Sequence, residues 1–106
     1  MEIDQQKALK TLMRAQALLN AQDITVLPRV AQVQLLAAQR ATYQEIQAQQ
    51  VRKMAERNGD YVMVSHGLKT GESGFRAIHD WARSAAQTGA AVDGLLRGLS
   101  LLLMLF

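Results

Sequence analysis

The apolar residues near the start of the chain recur three and four positions apart, which is the spacing of one face of an α-helix. Asp4 precedes this pattern as an N-cap residue, and turn-forming residues follow it at positions 20–25. We therefore predict a first helix over residues 4–21. Its apolar face consists of Leu9, Leu12, Met13, Leu18 and Leu19.

A second, longer helix is predicted over residues 26–57. Pro28 is tolerated only in the first turn of a helix, and the Asn-Gly pair at 58–59 is a typical stop. Such a helix spans roughly 48 Å, which is long for a chain of this size. Residues 44–50 are polar nearly all round, which indicates that this part is either solvated or buried against other amide groups.

The clearest helical pattern covers residues 73–106, where Ser73 is placed to cap a third helix. Two positions of a seven-residue repeat are apolar or glycine throughout, as in a helix that packs along one seam. Gly94 and Gly98 lie four apart and allow another helix to approach closely. We call the ten repeat positions the heptad stripe and predict that they form an interaction surface. The heptad stripe consists of Phe75, Ile78, Ala82, Ala85, Gly89, Val92, Leu96, Leu99, Leu103 and Phe106.

The last two turns of this helix are hydrophobic beyond the heptad stripe. A helix that is hydrophobic all round requires burial on all sides. Two interpretations are open: a compact three-helix core that covers the tail, or apolar surface left for another subunit, another protein or a lipid interface. The residues that raise the question are Leu95, Leu101, Leu102, Met104 and Leu105.

Residues 58–72 interrupt the helical pattern. The Tyr-Val-Met-Val run at 61–64 has strand propensity, but the chain offers no second strand candidate. We interpret the segment as an apolar linker held against the helices. The alternative is a short strand that pairs with another chain.

These elements predict an all-α fold in a single domain over residues 1–106. Residues 26–57 and 73–106 form a long antiparallel helical hairpin around the linker at 58–72. The shorter N-terminal helix packs alongside and completes a three-helix arrangement.

Composition narrows the class of protein. Hydrophobic residues make up 49% of the 106 residues, which is typical of a globular chain. The sequence contains no cysteine, which excludes disulfides and thiolate metal sites and fits a reducing compartment. The polar N-terminus lacks the apolar core of a signal peptide, and no run reaches the ~20 apolar residues of a membrane span. We expect a cytoplasmic protein, with peripheral membrane association as the alternative.

Candidate sites for chemistry are few. His66 and His79 lack the spacing of a metal-binding pair, and Ser65 beside His66 lacks the GxSxG context of a hydrolase nucleophile. The glycine-rich run at 67–74 precedes the predicted third helix, where free backbone amides can bind an anion. It is not a Walker A loop, and Glu72 would repel a phosphate. We expect no enzyme activity, metal, cofactor or small-molecule substrate.

The formal net charge is +3, and the excess lies in the first 58 residues. It is too small to indicate nucleic-acid binding by itself. Cations at the end of the second helix also complement the helix dipole, which is a sufficient structural reason for them. A candidate nucleic-acid surface consists of Arg40, Arg52, Lys53 and Arg57.

The sequence thus predicts a non-catalytic interaction or assembly subunit. Its C-terminal heptad helix would pack against copies of itself or against a partner protein. Membrane association through the same hydrophobic helix is the first alternative. A nucleic-acid-binding accessory role is the second.

Overall fold

The computed structural model describes residues 3–55 and 59–106, with residues 53–55 described by their helical backbone. The described residues form four α-helices, and the all-helical class is confirmed. A short 3-10 turn, Ile24–Val26, lies between the first two helices. The helices are α1 (Gln5–Ala21), α2 (Arg29–Ala55), α3 (His66–Gln87) and α4 (Asp93–Leu103).

The helices form a ring in which each packs against its neighbours in chain order, and α4 returns to pack against α1. Neighbouring helices run antiparallel. Along α3, Gly67 lies beside Ala41 and Gly74 beside Gln34, so the two helices proceed in opposite directions. The molecule measures 45 × 23 × 22 Å, because α2 is longer than its partners.

The single helix predicted over residues 73–106 is wrong, because two helices occupy that range. Thr88 ends α3, and Gly89 adopts a φ of +88°, a conformation that L-residues other than glycine rarely adopt. The heptad spacing continues across this turn because both helices bury their apolar faces in one core. The three-helix count is therefore replaced by four helices among the described residues.

The predicted starts of two helices also differ from the observed ones. α3 begins seven residues before Ser73, with Ser65 as its cap, and the Ser65 hydroxyl accepts a hydrogen bond from the Leu68 backbone N–H at 3.3 Å. α2 begins at Arg29, after Pro28. The predicted end of the second helix at residue 57 lies outside the described residues. The Asp4 cap of α1 is confirmed, since its carboxylate accepts from the Lys7 N–H at 2.8 Å.

The core is aliphatic and runs through the centre of the ring. α4 approaches α1 closely at Gly94 and Gly98, where a side chain would meet Leu18, Leu19 and the Ala15 carbonyl. The largest fully buried apolar side chains, each less than 2% exposed, include Leu12, Leu19, Leu35, Leu68, Leu95, Leu99 and Leu102.

The segment before α3 is held against the chain's own helices. The Tyr61 N–H donates to the Ile3 carbonyl at 2.9 Å, and the Gln5 N–H donates to the Gly59 carbonyl at 3.1 Å. These bonds form an isolated antiparallel bridge between Asp4 and Asp60. Of the residues with strand propensity, Tyr61 thus bonds to the start of the same chain, whereas the Val62 carbonyl and the Val64 N–H bond to side chains of α2.

Candidate functional site

Most of the heptad stripe lies inside the bundle. Side chains that are buried against their own helices are unavailable to a second chain in this conformation. Only Gly89 and Phe106 of the ten are exposed. Ala85, Leu96 and Leu103 are partly buried and pack against the core. The buried members are Phe75, Ile78, Ala82, Val92 and Leu99.

The hydrophobic tail is also largely covered by the bundle. Leu95 and Leu102 are fully buried, and Leu105 is 8% exposed. Met104 and Phe106 remain exposed at 69% and 39%. No helix in residues 3–55 or 59–106 is long and apolar enough to cross a membrane.

Four basic residues were predicted to contact nucleic acid, and the two whose side chains the structure describes are not close together. Arg40 is exposed in the middle of α2. Arg52 lies twelve residues further on, about 18 Å along the helix, where its Nη1 donates to the Val62 carbonyl at 3.4 Å. The Lys53 side chain and Arg57 lie outside the described part of the structure.

The glycine-rich run at 67–74 does not form a loop before a helix. These residues belong to the first turns of α3, so the loop that could offer free backbone amides to an anion is not formed. The Ser65 hydroxyl serves as the α3 cap. Within the described ranges, no three His, Asp or Glu side chains are placed to hold a metal ion.

A buried carboxylate, Glu45, organises the polar end of the bundle. It lies in the polar stretch of α2 and is fully buried. Its oxygens accept hydrogen bonds from the Tyr61 hydroxyl at 2.9 Å and from the Ser65 backbone N–H at 2.6 Å. The Val64 N–H and the Gln49 side-chain amide also donate to it, at 3.0 and 2.8 Å. A buried carboxylate needs hydrogen-bond donors to offset the loss of water. Because Tyr61, Val64 and Ser65 supply such donors, the cluster holds the segment that precedes α3 in place.

Tyr61 is perturbed by this environment. Burial raises the pKa of the Tyr61 hydroxyl, and the neighbouring Glu45 carboxylate raises it further, because a phenolate there would be a second negative charge. Gln5 closes the cluster from α1 by donating to the Gln49 carbonyl at 3.2 Å. Among the described residues no buried side-chain polar atom lacks a partner, which favours a structural role for this cluster.

A groove with a volume of about 670 Å³ lies between α2 and α3. On the α2 side the groove is bordered by large apolar residues that are exposed. Val33, Leu36 and Ala37 line the groove, and Val30 lies one turn before Val33; we call these four residues the α2 ridge. Val30, Val33 and Leu36 are 68%, 56% and 55% exposed. The four residues share one face of the helix because they are spaced three, four, six and seven residues apart.

Small residues of α3 form the other side of this groove. Gly67, Gly71 and Gly74 line it together with Thr70 and Ser73. A side chain at Gly67 would make only ordinary contact with Ala41, at 3.5 Å. At Gly74 an added carbon would lie 3.1 Å from the Gln34 side chain of α2, and at Gly71 it would meet the Phe75 ring of α3 itself.

A second site joins α3 to α4. His79 Nε2 lies 3.0 Å from the Ser100 hydroxyl oxygen, and His79 Nδ1 lies 3.1 Å from an Asp80 carboxylate oxygen. The Arg83 guanidinium lies 3.5 Å from the same carboxylate. A depression of about 390 Å³ opens at this point, and its other lining residues are Arg76, Leu103 and Met104.

The pairing of His79 with Ser100 does not follow from the sequence when residues 73–106 are interpreted as one helix. The signal that could have found it is the turn at Gly89. Two antiparallel helices joined there bring together residues at equal distances from the turn, and His79 and Ser100 lie ten and eleven residues away.

The comparisons with known proteins assign no family to this chain. No protein-family model, characterised protein sequence or solved structure matches it. The candidate sites therefore have to be judged on their geometry.

Proposed function

We propose that this protein is a helical assembly subunit that self-associates through its α2–α3 side. The α2 ridge of one copy would occupy the groove of a second copy. One observation carries the proposal: large apolar side chains are exposed directly beside a groove lined by glycines. Exposed apolar patches of this kind are typical of protein interaction sites.

The face is complementary to itself. A two-fold axis parallel to the helices, between α2 and α3, would place α2 of one copy over α3 of the other at the same height. Gly74 lies level with Gln34, so this operation would bring Val33 over the Gly74 region of the partner. The same contact would be made twice, as in the isologous interfaces of most homodimers.

The charge of the groove supports a protein occupant. Of the described residues that line it, Arg40 alone is charged. Interface cores between proteins are depleted in charged residues, whereas nucleic-acid surfaces are strongly basic. The predicted assembly role is retained, but the interaction surface is now the α2 ridge and the groove beside it. The heptad stripe contributes to the bundle's own core.

Light scattering coupled to size-exclusion chromatography tests the proposal over a range of micromolar concentrations. We expect wild type to be a dimer and Val33→Glu to be a monomer, because the added carboxylate would be buried at the interface without a partner. Met13→Glu, at an apolar side chain 49% exposed on α1, is the matched control and should remain a dimer.

Phe106→Glu tests the exposed end of the heptad stripe in the same assay. A monomeric wild type would contradict self-association. A dimer that survives Val33→Glu but is lost in Phe106→Glu would return the interface to the heptad stripe. Flotation with liposomes, in which wild type should stay at the bottom of the gradient, tests whether lipid covers the α2 ridge instead.

A further inference from the structure

We propose that Ser100 is a nucleophile that His79 activates, at an acyl-transfer site between α3 and α4. The inference does not rest on self-association, because the site lies in the α3–α4 depression and shares no residue with the α2 ridge. The substrate class is a small carboxylic ester. Asp80 is a positioning residue, since it acts on His79.

The three side chains have the connectivity of a nucleophile, a base and an orienting carboxylate. The Ser100 oxygen is 3.0 Å from His79 Nε2, within the range for proton transfer, and His79 Nδ1 is 3.1 Å from the Asp80 carboxylate. A carboxylate at Nδ1 favours the tautomer that leaves Nε2 able to accept a proton. The arrangement is recognised by geometry and does not need the chain order of a known hydrolase.

The hydroxyl proton of Ser100 has two acceptors within reach. One is His79 Nε2, and the other is the Leu96 carbonyl of the preceding helical turn, at 2.8 Å. Turning the proton from the carbonyl towards Nε2 requires rotation about one bond and no movement of either helix. The resting hydrogen bond and the reactive one are therefore available to the same side-chain position.

The reaction is balanced as follows. The Ser100 oxygen bonds to the carbonyl carbon of the ester, and its proton passes to His79 Nε2. The bond from that carbon to the leaving oxygen then breaks, and the leaving alkoxide takes the proton from Nε2. An acyl group remains on Ser100 and an alcohol departs. Water repeats the two steps, releases the acid and restores the serine.

Positive charge for the developing oxyanion comes from side chains. Ser100 lies inside α4, so its backbone N–H belongs to the helix hydrogen bonds. Arg76 and Arg83 line the same depression. Both are exposed, and they pair with Glu72 and Asp80. Exposed guanidiniums are weaker oxyanion donors than a preformed pair of amides, so we expect acylation to be easier to detect than turnover.

The depression also selects the substrate. Leu103 and Met104 form an apolar wall, which suits a short acyl or alkyl group. A volume of about 390 Å³ limits the ligand to a small one.

Stoichiometric labelling tests the proposal. The 106-residue chain is treated with p-nitrophenyl acetate, the release of nitrophenolate is followed, and the acetylated peptide is identified by mass spectrometry. We expect acetylation at Ser100 in preference to the exposed serines Ser73 and Ser84, and no label at that position in Ser100→Ala. An acetyl group found mainly on lysines or on the exposed serines would overturn the proposal.

His79→Gln separates activation from a structural role. A glutamine amide can still donate to the Ser100 oxygen and join the two helices, but it cannot accept the proton. We expect the labelling rate to fall at least ~100-fold, which is the usual contribution of a general base. An unchanged rate would overturn activation by His79.

Two further measurements distinguish the loss of activation from misfolding of a variant. Circular dichroism establishes that His79→Gln is folded. Labelling of wild type with diisopropyl fluorophosphate needs no variant and should also map to Ser100.

For Asp80→Asn, nitrogen-15 spectra of the His79 ring should show loss of the Nδ1–H tautomer together with slower labelling. Slower labelling with an unchanged tautomer would remove Asp80 from the positioning role.

Discussion

The α1–α4 pair and the α2–α3 pair both contain glycines three or four residues apart, but they use them differently. An added side-chain carbon at Gly94 or Gly98 of α4 would lie 2.5 Å from the Leu18 carbonyl oxygen or 2.7 Å from the Leu19 side chain. Along α3 no added carbon would come that close to α2: the nearest α2 atom would lie at 3.5 Å for Gly67 and at 3.1 Å for Gly74, and the close neighbour of Gly71 is the Phe75 ring of α3 itself. A stripe of small residues therefore shows where a close approach is allowed, and only packing shows whether the chain itself fills the space.

The two pairs are also held by different forces. α4 meets α1 through buried leucines, and Gln22 supplies the N-terminus of α4 with an acceptor for the Leu95 N–H at 2.9 Å. The polar end of the α2–α3 pair depends on one carboxylate, Glu45, and on the donors that surround it. We expect the α2–α3 pair to be sensitive to the loss of polar partners and the α1–α4 pair to added volume.

The largest effect is expected for Glu45→Ala. The change removes the acceptor of Tyr61, Val64 and Ser65 and leaves these partly buried donors without that partner. We expect the free energy of unfolding to fall by about 3 kcal/mol or more, measured by urea denaturation. Gln44→Ala, at the exposed neighbouring position, is the control and should change it by less than about 0.5 kcal/mol. A small effect of Glu45→Ala would mean that the polar cluster does not stabilise the polar end of the α2–α3 pair.

A smaller effect, in the other pair, is expected for Gly98→Ala. The added carbon overlaps the Leu19 side chain, and overpacking of this kind costs about 1–3 kcal/mol. Gly67→Ala should be neutral or should stabilise α3 by up to about 1 kcal/mol, because its side chain finds ordinary contact and alanine favours the helix. Equal effects of the two substitutions would mean that the glycines of the two pairs are not used differently.

A pH effect is expected at the polar end of the α2–α3 pair. The pKa of Tyr61 is raised in the folded protein, so the folded state disfavours the phenolate. The resulting stability is fully present below the unfolded pKa of about 10 and is lost as the pH rises above it. Unfolding measured between about pH 8 and pH 11 should show a steeper alkaline loss in wild type than in Tyr61→Phe. Parallel curves would contradict the buried environment of Tyr61.

The smallest effect on stability is expected at the α2 ridge. Val33 is 56% exposed, so Val33→Glu should change the unfolding free energy of the monomer by less than about 0.5 kcal/mol. Denaturation at a concentration low enough to dissociate a dimer measures this. A large loss would mean that Val33 supports the fold and that the substitution cannot test an interface.

Local signals predicted much of the fold. The helical class is observed, and the predicted first helix at 4–21 agrees closely with Gln5–Ala21. The turn at Gly89 was missed because the heptad spacing runs across it. The start of α3 was missed because Gly67, Gly71 and Gly74 weaken local helix propensity, which contacts with α2 override.

The candidate sites were harder to predict because they depend on tertiary structure. The polar stretch of α2 gave two interpretations, and Glu45 and Gln49 are indeed buried. Several of their hydrogen-bond partners lie in the segment before α3. The position of that segment cannot be predicted from the period of a helix. The α2 ridge was hard to predict for a related reason. The apolar residues of α2 lie on two faces of the helix, and only the packing shows that one face is buried while the α2 ridge is exposed.

The central claim is that the α2–α3 side, rather than the heptad stripe, joins two copies. The chain has no cysteine, so one nitroxide label can be attached at Lys69→Cys, beside the groove, or at Ala17→Cys on α1. Pulsed electron–electron dipolar spectroscopy then measures the distance between labels in a dimer. We expect about 20 Å, two helix diameters, for position 69 and a clearly longer distance for position 17. A shorter distance at position 17, or no intermolecular signal at position 69, would contradict the account.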